Sequence, residues 1–306
     1  MSEPDLSVEL PGLLLRNPIL AASGTFGYGL EFTPYLELNR LGAVVVKGLS
    51  VRPAPGNPPP RACETPAGML NSIGLQNIGA QEFIERRLPE LKRLGATVIA
   101  NFWGRTIEEV AEVAALLDSA PSLDAVELNI SCPNIKEGGL EFGTRPQMVE
   151  RVVAAARRST SKHLMVKLSP NVGDIGEPAR AAELSGADSL SVANTWLGMA
   201  VDVKTRRSRL HTMMGGLSGP AIRPIALRMV YQTVRAVRLP VIGVGGIASL
   251  EDVLQYLIVG AQAVQIGTAN FFEPDITARL VGELKDYARA QGIQKIAELV
   301  GTLIEP

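Results

Sequence analysis

A single cysteine in a polar turn is the residue of this chain best suited to chemistry. The stretch Val126–Asn134 (VELNISCPN) starts as an apolar run that ends in Asn129, and Cys132 follows between Ser131 and Pro133. Ser, Pro and Asn favour turns, so we expect Cys132 to lie on a loop at the end of a strand. A thiolate there can act as a base or a nucleophile. The alternative is that Cys132 is a small buried hydrophobe, as free cysteines commonly are.

Polar residues also end several other apolar runs. Successive runs end in or lead to Ser23-Gly24, Lys47, Asn101, Asn129, Lys167 and Asn194-Thr195. A single Asn in such a place is usually a turn residue, and a single Lys usually reaches for water. Several of them at comparable positions would form a ring of donors and acceptors. Such a ring suits a planar, polar heterocycle.

Glycine turns follow the last two apolar runs. Gly243-Val-Gly-Gly246 precedes a helix start, and Gly267-Thr268 follows the next run. Backbone N–H groups in such turns bind phosphate. Residues 243–248 also match G-x-G-x-x-A, but the next run ends in Gly267 without the acidic residue that a dinucleotide ribose requires. We therefore favour a monophosphate, with simple glycine turns as the alternative. A phosphate and a heterocycle together suggest FMN, and Lys167 would stabilise the reduced flavin near N1 and the C2 oxygen.

The elements that must position these residues alternate along the chain. After a hairpin at Ser7–Leu10 and Leu13–Arg16 come eight apolar runs, most of them separated by helical patterns such as Thr106–Asp118, Arg145–Ser159, Ile175–Ser185 and Leu250–Gly260. The runs are Ile19–Ala22, Ala43–Lys47, Thr97–Asn101, Ala125–Asn129, Leu164–Lys167, Ser189–Ala193, Pro240–Gly243 and Ala263–Ile266. Continuous apolar strands alternating with helices predict a parallel sheet. Eight units predict a (β/α)₈ TIM barrel, with a doubly wound sheet as the alternative.

The barrel is expected to form one domain over residues 1–306. Two long connections, 48–81 and 195–219, would build or cover the site at the C-terminal face of the strands. Ser249 and Asp252 predict a capping box at a helix start.

Composition excludes several function classes. The net charge is −1 and the pI is about 6.2, which does not favour nucleic acid or an anionic membrane. We expect neither a signal peptide nor a membrane span. Cys63 and Cys132 lie far apart without a CxxC motif, and His163 and His211 are the only histidines. No metal site or self-supplied iron–sulfur cluster is therefore expected, and a cytoplasmic setting fits.

Across nearly its whole length the chain resembles the dihydroorotate dehydrogenase family of pyrimidine-synthesis flavoenzymes. The matching stretches are Ala22–Gly27 (ASGTFG), Val46–Gly48 (VKG), Asn71–Asn77 (NSIGLQN), Asn129–Asn134 (NISCPN), Asn194–Thr195, Gly215–Pro220 (GGLSGP), Gly243–Ile247 (GVGGI) and Gly267–Thr268. The chain resembles class 1 enzymes in having cysteine at position 132, because class 2 enzymes have serine there. Gln76 and residues 197–202 resemble class 1B.

The resemblance implies specific roles. FMN would be held by Ser23, Lys47, Gly48, Asn101, Asn129, Lys167, Ala193, Gly219, Gly245, Gly246, Gly267 and Thr268. Dihydroorotate would be held by Lys47, Asn71, Ser72, Ile73, Gly74, Leu75, Asn129, Asn134, Asn194 and Thr195. Cys132 would be the catalytic base, taking a proton while hydride passes to flavin N5. Ala193 departs from a larger aliphatic residue common in the family, and Trp196 is also unusual there.

The resemblance also implies partners. Class 1B enzymes form a homodimeric core that joins a second subunit carrying FAD and a [2Fe–2S] cluster, giving a heterotetramer that reduces NAD⁺. A class 1A, fumarate-linked enzyme remains an alternative. A second alternative is another FMN pyrimidine oxidoreductase, such as a dihydropyrimidine dehydrogenase catalytic domain or a tRNA dihydrouridine synthase. A third is a non-catalytic phosphate-binding barrel.

Overall fold

Eight parallel strands form a closed barrel in chain order. The computed structural model describes residues 3–131 and 142–306. The barrel strands are Ile19–Ala21, Ala43–Val45, Val98–Phe102, Ala125–Asn129, His163–Lys167, Ser189–Val192, Val241–Val244 and Ala263–Ile266. The eighth strand pairs with the first through Ile266 and Ala21, which closes the barrel. The predicted (β/α)₈ TIM barrel is confirmed, and the doubly wound alternative is wrong.

Helices cover the outside of the barrel. After the second strand comes a helical segment over 80–93 that includes a π-helical turn, Phe83–Arg87. The later helices are Ile107–Asp118, Pro146–Ser159, Gly176–Leu184, Arg223–Ala236, Leu250–Ile258 and Ile276–Ala290. The first and second strands are instead joined by two 3₁₀ turns, Leu30–Phe32 and Leu38–Arg40. Further 3₁₀ turns are Phe142–Thr144, Pro220–Ile222, Thr268–Phe271 and Ile296–Leu299.

The core lies both inside the barrel and between the barrel and its helices. Most strand residues are fully buried, as in Val98–Phe102 and His163–Lys167. A strand buried on both faces requires a continuous apolar run, and this is why apolar runs in the sequence mark the barrel strands. Within the described ranges, no helix combines the length and apolar character needed to cross a bilayer.

The N-terminal hairpin closes the bottom of the barrel. Its strands, Val8–Leu10 and Leu13–Leu15, pair antiparallel as predicted. His163 Nδ1 lies 2.7 Å from the carbonyl oxygen of Pro11 at the hairpin turn. A carbonyl can only accept, so Nδ1 carries the proton, and Nε2 accepts from the Ser189 hydroxyl at 2.7 Å. The hairpin is thereby fixed to the N-terminal ends of two barrel strands.

The two long connections form a second sheet over the opposite end. Its four antiparallel strands are ordered Trp196–Gly198, Gly215–Ser218, Gly68–Asn71 and Ala62–Thr65. A two-stranded ribbon, Val201–Asp202 with Arg207–Ser208, extends from it. Trp196 pairs with Leu217 and packs, half-buried, against the core. The unusual tryptophan therefore has a structural role in joining this cap sheet to the barrel.

Candidate functional site

A cavity of about 630 Å³ lies at the C-terminal ends of the barrel strands, below the cap sheet. This volume is typical of a site for a cofactor-sized ligand. Its lining includes most of the predicted site residues: Ser23, Lys47, Gly48, Asn71, Ser72, Ile73, Gly74, Leu75, Asn101, Asn129, Lys167, Asn194, Thr195, Gly219, Gly245, Gly246, Gly267 and Thr268. Ala193 is buried outside this lining, where its N–H donates to Val244 O at 3.1 Å. Cys132 and Asn134 lie outside the described residues.

One end of the cavity is a turn that only glycine can form. Gly245 and Gly246 adopt φ of +138° and +71°. A Cβ on Gly246 would lie 2.8 Å from the backbone nitrogen of Arg223, so a side chain cannot be accommodated there. The turn leaves its backbone open to the cavity beside the start of the next helix. This is the geometry in which backbone amides bind a phosphate.

Side chains behind this turn hold it in place. The Asp252 carboxylate accepts from the N–H groups of Ala248 and Ser249 at 2.9 and 3.0 Å, and Ser249 Oγ accepts from Asp252 N. The predicted capping box is therefore confirmed. Arg223 forms an ion pair with Asp252 and offsets its negative charge. Burial raises the pKa of Tyr256, and its protonated hydroxyl donates to Gly245 O at 2.7 Å.

The floor of the cavity contains a buried polar cluster around Glu127. Asn101 Nδ2 donates to Glu127 Oε1 at 2.6 Å, and Lys167 Nζ lies 4.0 Å from the same oxygen. Asn101 and Lys167 line the cavity, whereas Glu127 is fully buried beneath them. The prediction that the strand-end Asn and Lys residues converge is confirmed for these two. Glu127 was not predicted, although a charge within the apolar stretch VELN was a usable signal.

A second polar cluster lies where the chain approaches Cys132. Asn129 Oδ1 accepts from the N–H and the hydroxyl of Ser131 at 3.1 and 2.8 Å, and from Asn194 Nδ2 at 3.3 Å. Asn194 Nδ2 also donates to Ser131 Oγ, and Thr195 N donates to Asn194 Oδ1. Because the Asn129 oxygen is occupied by these donors, its amide NH₂ is the group left to donate to a ligand.

The segment 71–75 forms one wall in an uncommon backbone conformation. Gly74 and Leu75 have φ of +75° and +62°, and positive φ is unfavourable for leucine. Asn77 secures the segment, since its Nδ2 donates to Leu75 O and its Oδ1 accepts from Gly79 N and Ser50 N. The wall is thus held in a fixed shape at the cavity.

Two buried polar atoms in the lining lack a hydrogen-bond partner among the described residues. They are Ser72 Oγ and Trp103 Nε1. Buried donors and acceptors are nearly always paired, so these atoms indicate where a polar ligand would supply the missing bonds. Sequence reasoning identified Ser72 through the family resemblance and missed Trp103.

Comparison with known proteins identifies the family. The family model described as dihydroorotate dehydrogenase matches residues 5–287. The chain belongs to the dihydroorotate dehydrogenase family. It is 52% identical over 304 residues to a relative from Geotalea uraniireducens (strain Rf4), with 99% of this chain and 100% of the relative covered. It is 53% identical over 301 residues to one from Trichlorobacter lovleyi, with 98% and 99% covered.

Both relatives are named dihydroorotate dehydrogenase B (NAD(+)), catalytic subunit. The chain is therefore an oxidoreductase of the dihydroorotate dehydrogenase family, as predicted. The words "catalytic subunit" imply that these relatives work with a second subunit.

The site fits FMN, the cofactor that the family resemblance implies. The glycine turn offers backbone amides to a phosphate, while Lys167, Asn101, Asn129 and the unpaired Trp103 Nε1 offer donors to a polar ring system. Among the described residues, no group of three or more His, Cys, Asp or Glu side chains could hold a metal ion.

Proposed function

We propose that this chain catalyses the FMN-dependent oxidation of (S)-dihydroorotate to orotate, a step of pyrimidine synthesis. The observation that carries the proposal is the cavity itself. It joins a glycine cradle for a phosphate to a lysine- and asparagine-lined pocket, at the catalytic end of a barrel from this family.

The predicted FMN-binding residues fall into two groups, one for the phosphate and one for the ring system. Gly245, Gly246, Gly267 and Thr268 would hold the phosphate through two adjacent turns. Thr268 donates to Ser218 Oγ at 2.8 Å, which fixes the second turn against the cap sheet. The remaining predicted residues would hold the ring: Ser23, Lys47, Gly48, Asn101, Asn129, Lys167 and Gly219, with Ala193 behind them. When bound, FMN supplies the acceptor for the hydride that leaves the substrate.

The substrate residues would bind a small anionic ring between the cofactor and the 71–75 wall. Lys47 supplies a positive charge for a carboxylate, and Asn71, Asn129 and Asn194 supply amide groups for ring carbonyls and N–H groups. We assign the base to Cys132, with Asn134 as a further contact, on the sequence motif alone. The Cys132 thiolate would accept the proton from the carbon next to the ring carbonyl and become a thiol, which would then release this proton to solvent.

The electron acceptor is proposed to be NAD⁺, reached through a partner. The relatives' names mention NAD(+) and a catalytic subunit. This chain has two cysteines, too few for a [2Fe–2S] cluster with four cysteine ligands. We infer an FAD and iron–sulfur subunit that joins a homodimer of this chain in a heterotetramer, in the cytoplasm.

Ligand selectivity tests the proposal. The purified chain should bind one FMN and should bind riboflavin, which lacks the phosphate, far more weakly. Without air, dihydroorotate should bleach the bound flavin. Dihydrouracil, which lacks the carboxylate, should not. If dihydrouracil bleached the flavin and dihydroorotate did not, a dihydropyrimidine dehydrogenase-like enzyme would be favoured. Failure to bind FMN would favour a non-catalytic barrel.

A further inference from the structure

A buried carboxylate below the cofactor site has no assigned role. Glu127 lies on the fourth barrel strand, is 0% exposed, and points into the barrel interior toward four other strands. We propose that Glu127 is a positioning residue that holds the Lys167 ammonium at the FMN ring. This inference rests on the proposed function, because it assumes that FMN occupies the cavity.

The two oxygens of Glu127 have different partners. Oε2 accepts from Ser191 Oγ and from Gln265 Nε2, both at 2.7 Å. Oε1 accepts from Asn101 Nδ2 at 2.6 Å and faces Lys167 Nζ at 4.0 Å. The Oε2 atom is thus bound to side chains in the barrel interior, and the Oε1 atom faces two side chains that line the cavity. The carboxylate thus connects the rigid barrel interior to two side chains of the site.

Stability alone does not explain this arrangement. A buried charged pair is costly to desolvate, and well-packed apolar residues often replace such a pair without loss of stability. Barrel interiors are commonly filled by branched aliphatic side chains. Lys167 is 5% exposed and is one of the residues that line the cavity, and a fixed counter-charge would hold its flexible side chain in one place. Glu127 supplies that charge from below.

The surroundings of Glu127 provide a variant that removes the charge and little else. Glu127→Gln keeps an acceptor oxygen for Asn101. Its new NH₂ would face the Gln265 amide, whose Oε1 is buried without a partner in the described structure. Rotating the Gln265 amide by half a turn places this oxygen against the new donor, and the Ser191 hydroxyl can rotate to accept. The contacts to position 127 can thus be kept in number, with the Gln265 NH₂ now in the place of its unpaired oxygen, while Lys167 loses its ionic partner.

FMN affinity of the apoprotein, measured by quenching of flavin fluorescence, tests the proposal. Glu127→Gln should weaken FMN binding by about tenfold or more, the size of one lost charge-assisted contact. Ser191→Ala is the matched control, because it removes a hydrogen bond to the same carboxylate without changing charge or touching Lys167. It should bind FMN as the unaltered chain does. The urea midpoint of each apoprotein shows that the fold is retained.

A double-mutant cycle separates positioning from a merely structural role. If Glu127 acts through Lys167, Glu127→Gln should have little further effect on FMN affinity in a Lys167→Met background. Normal FMN binding by Glu127→Gln would overturn the inference. So would a double variant whose loss of FMN affinity equals the product of the two single-variant losses. If Lys167→Met does not fold, the comparison of Glu127→Gln with Ser191→Ala decides. Failure of the unaltered chain to bind FMN would instead refute the proposed function.

Discussion

Replacing Gly48 by alanine should test the packing beneath the cofactor site. Gly48 follows the second barrel strand, and its φ is not positive, so the alanine backbone is unstrained. An added Cβ would lie 2.6 Å from Asn101 Oδ1 and 3.3 Å from Trp103 Cδ1. Asn101 cannot retreat while its Nδ2 donates to Glu127 Oε1 at 2.6 Å. The variant therefore forces either a steric clash or the loss of that hydrogen bond.

The steric clash and the lost hydrogen bond would lower the free energy of unfolding by similar amounts. Overpacking a tight interior costs roughly 1–3 kcal/mol. Loss of a hydrogen bond to a charged group costs about 1.5–3 kcal/mol. Since Asn101 follows one route or the other, the free energy of unfolding of Gly48→Ala should fall by about 1–3 kcal/mol. FMN affinity should fall as well, because the displaced Asn101 lines the cavity.

Urea unfolding of the apoprotein and FMN titration measure the two effects. Gly282→Ala is the matched control, since it lies within the helix Ile276–Ala290 and its Cβ would meet nothing within 4 Å. That variant should be more stable by about 0.5–1 kcal/mol, because alanine is the better helix residue. A Gly48→Ala protein with unchanged stability and unchanged FMN affinity would refute this account of the packing.

Four further predictions concern the base, the phosphate turn, the hairpin contact and the acceptor. Cys132→Ala should keep FMN but slow flavin reduction roughly 10²–10⁴-fold, and near-normal reduction at pH 7 would remove Cys132 as the base. Gly246→Val should lose FMN and also stability, because its backbone has φ of +71° and meets Arg223; a stable variant with native FMN affinity would contradict the cradle. Burial lowers the pKa of His163, so its contribution to stability is complete above the ordinary value of about 6.5 and is lost as pH falls through the lowered folded-state pKa. In urea midpoints between pH 8 and 5, His163→Gln should show a smaller fall than the unaltered chain, and an equal fall would exclude this contribution. The chain alone should reduce dyes but not NAD⁺, and adding an FAD and iron–sulfur subunit should restore NADH formation; NAD⁺ reduction by the chain alone would overturn the partner proposal, and fumarate reduction would indicate class 1A.

Local patterns explain which parts of the fold were predictable. The barrel strands are apolar runs that are buried on both faces, so each can be located without knowing its partner. The capping box at Ser249 and Asp252 is likewise a matter of spacing within one helical turn. The observed strand ends differ from the predicted ones by one or two residues, as for the observed Val98–Phe102 and the predicted Thr97–Asn101.

Long-range pairing explains what sequence reasoning missed. The cap sheet joins Gly68–Asn71 to Gly215–Ser218, and four of the eight barrel strands lie between these segments in the sequence. The cluster around Glu127 draws on side chains from five different strands, so its members become neighbours only when the barrel closes. The family resemblance, rather than any local pattern, indicated the 71–75 wall. The roles of Cys132 and Asn134 remain predictions from sequence.

A single anaerobic turnover tests the central claim most directly. The FMN-loaded chain, without any partner or other acceptor, is mixed with excess (S)-dihydroorotate, and flavin absorbance and orotate are measured in the same sample. We expect complete bleaching of the flavin with one orotate formed for each FMN reduced. FMN that stays oxidised in the presence of dihydroorotate, or that is bleached without forming orotate, would contradict the claim that this chain is a dihydroorotate-oxidising flavoenzyme.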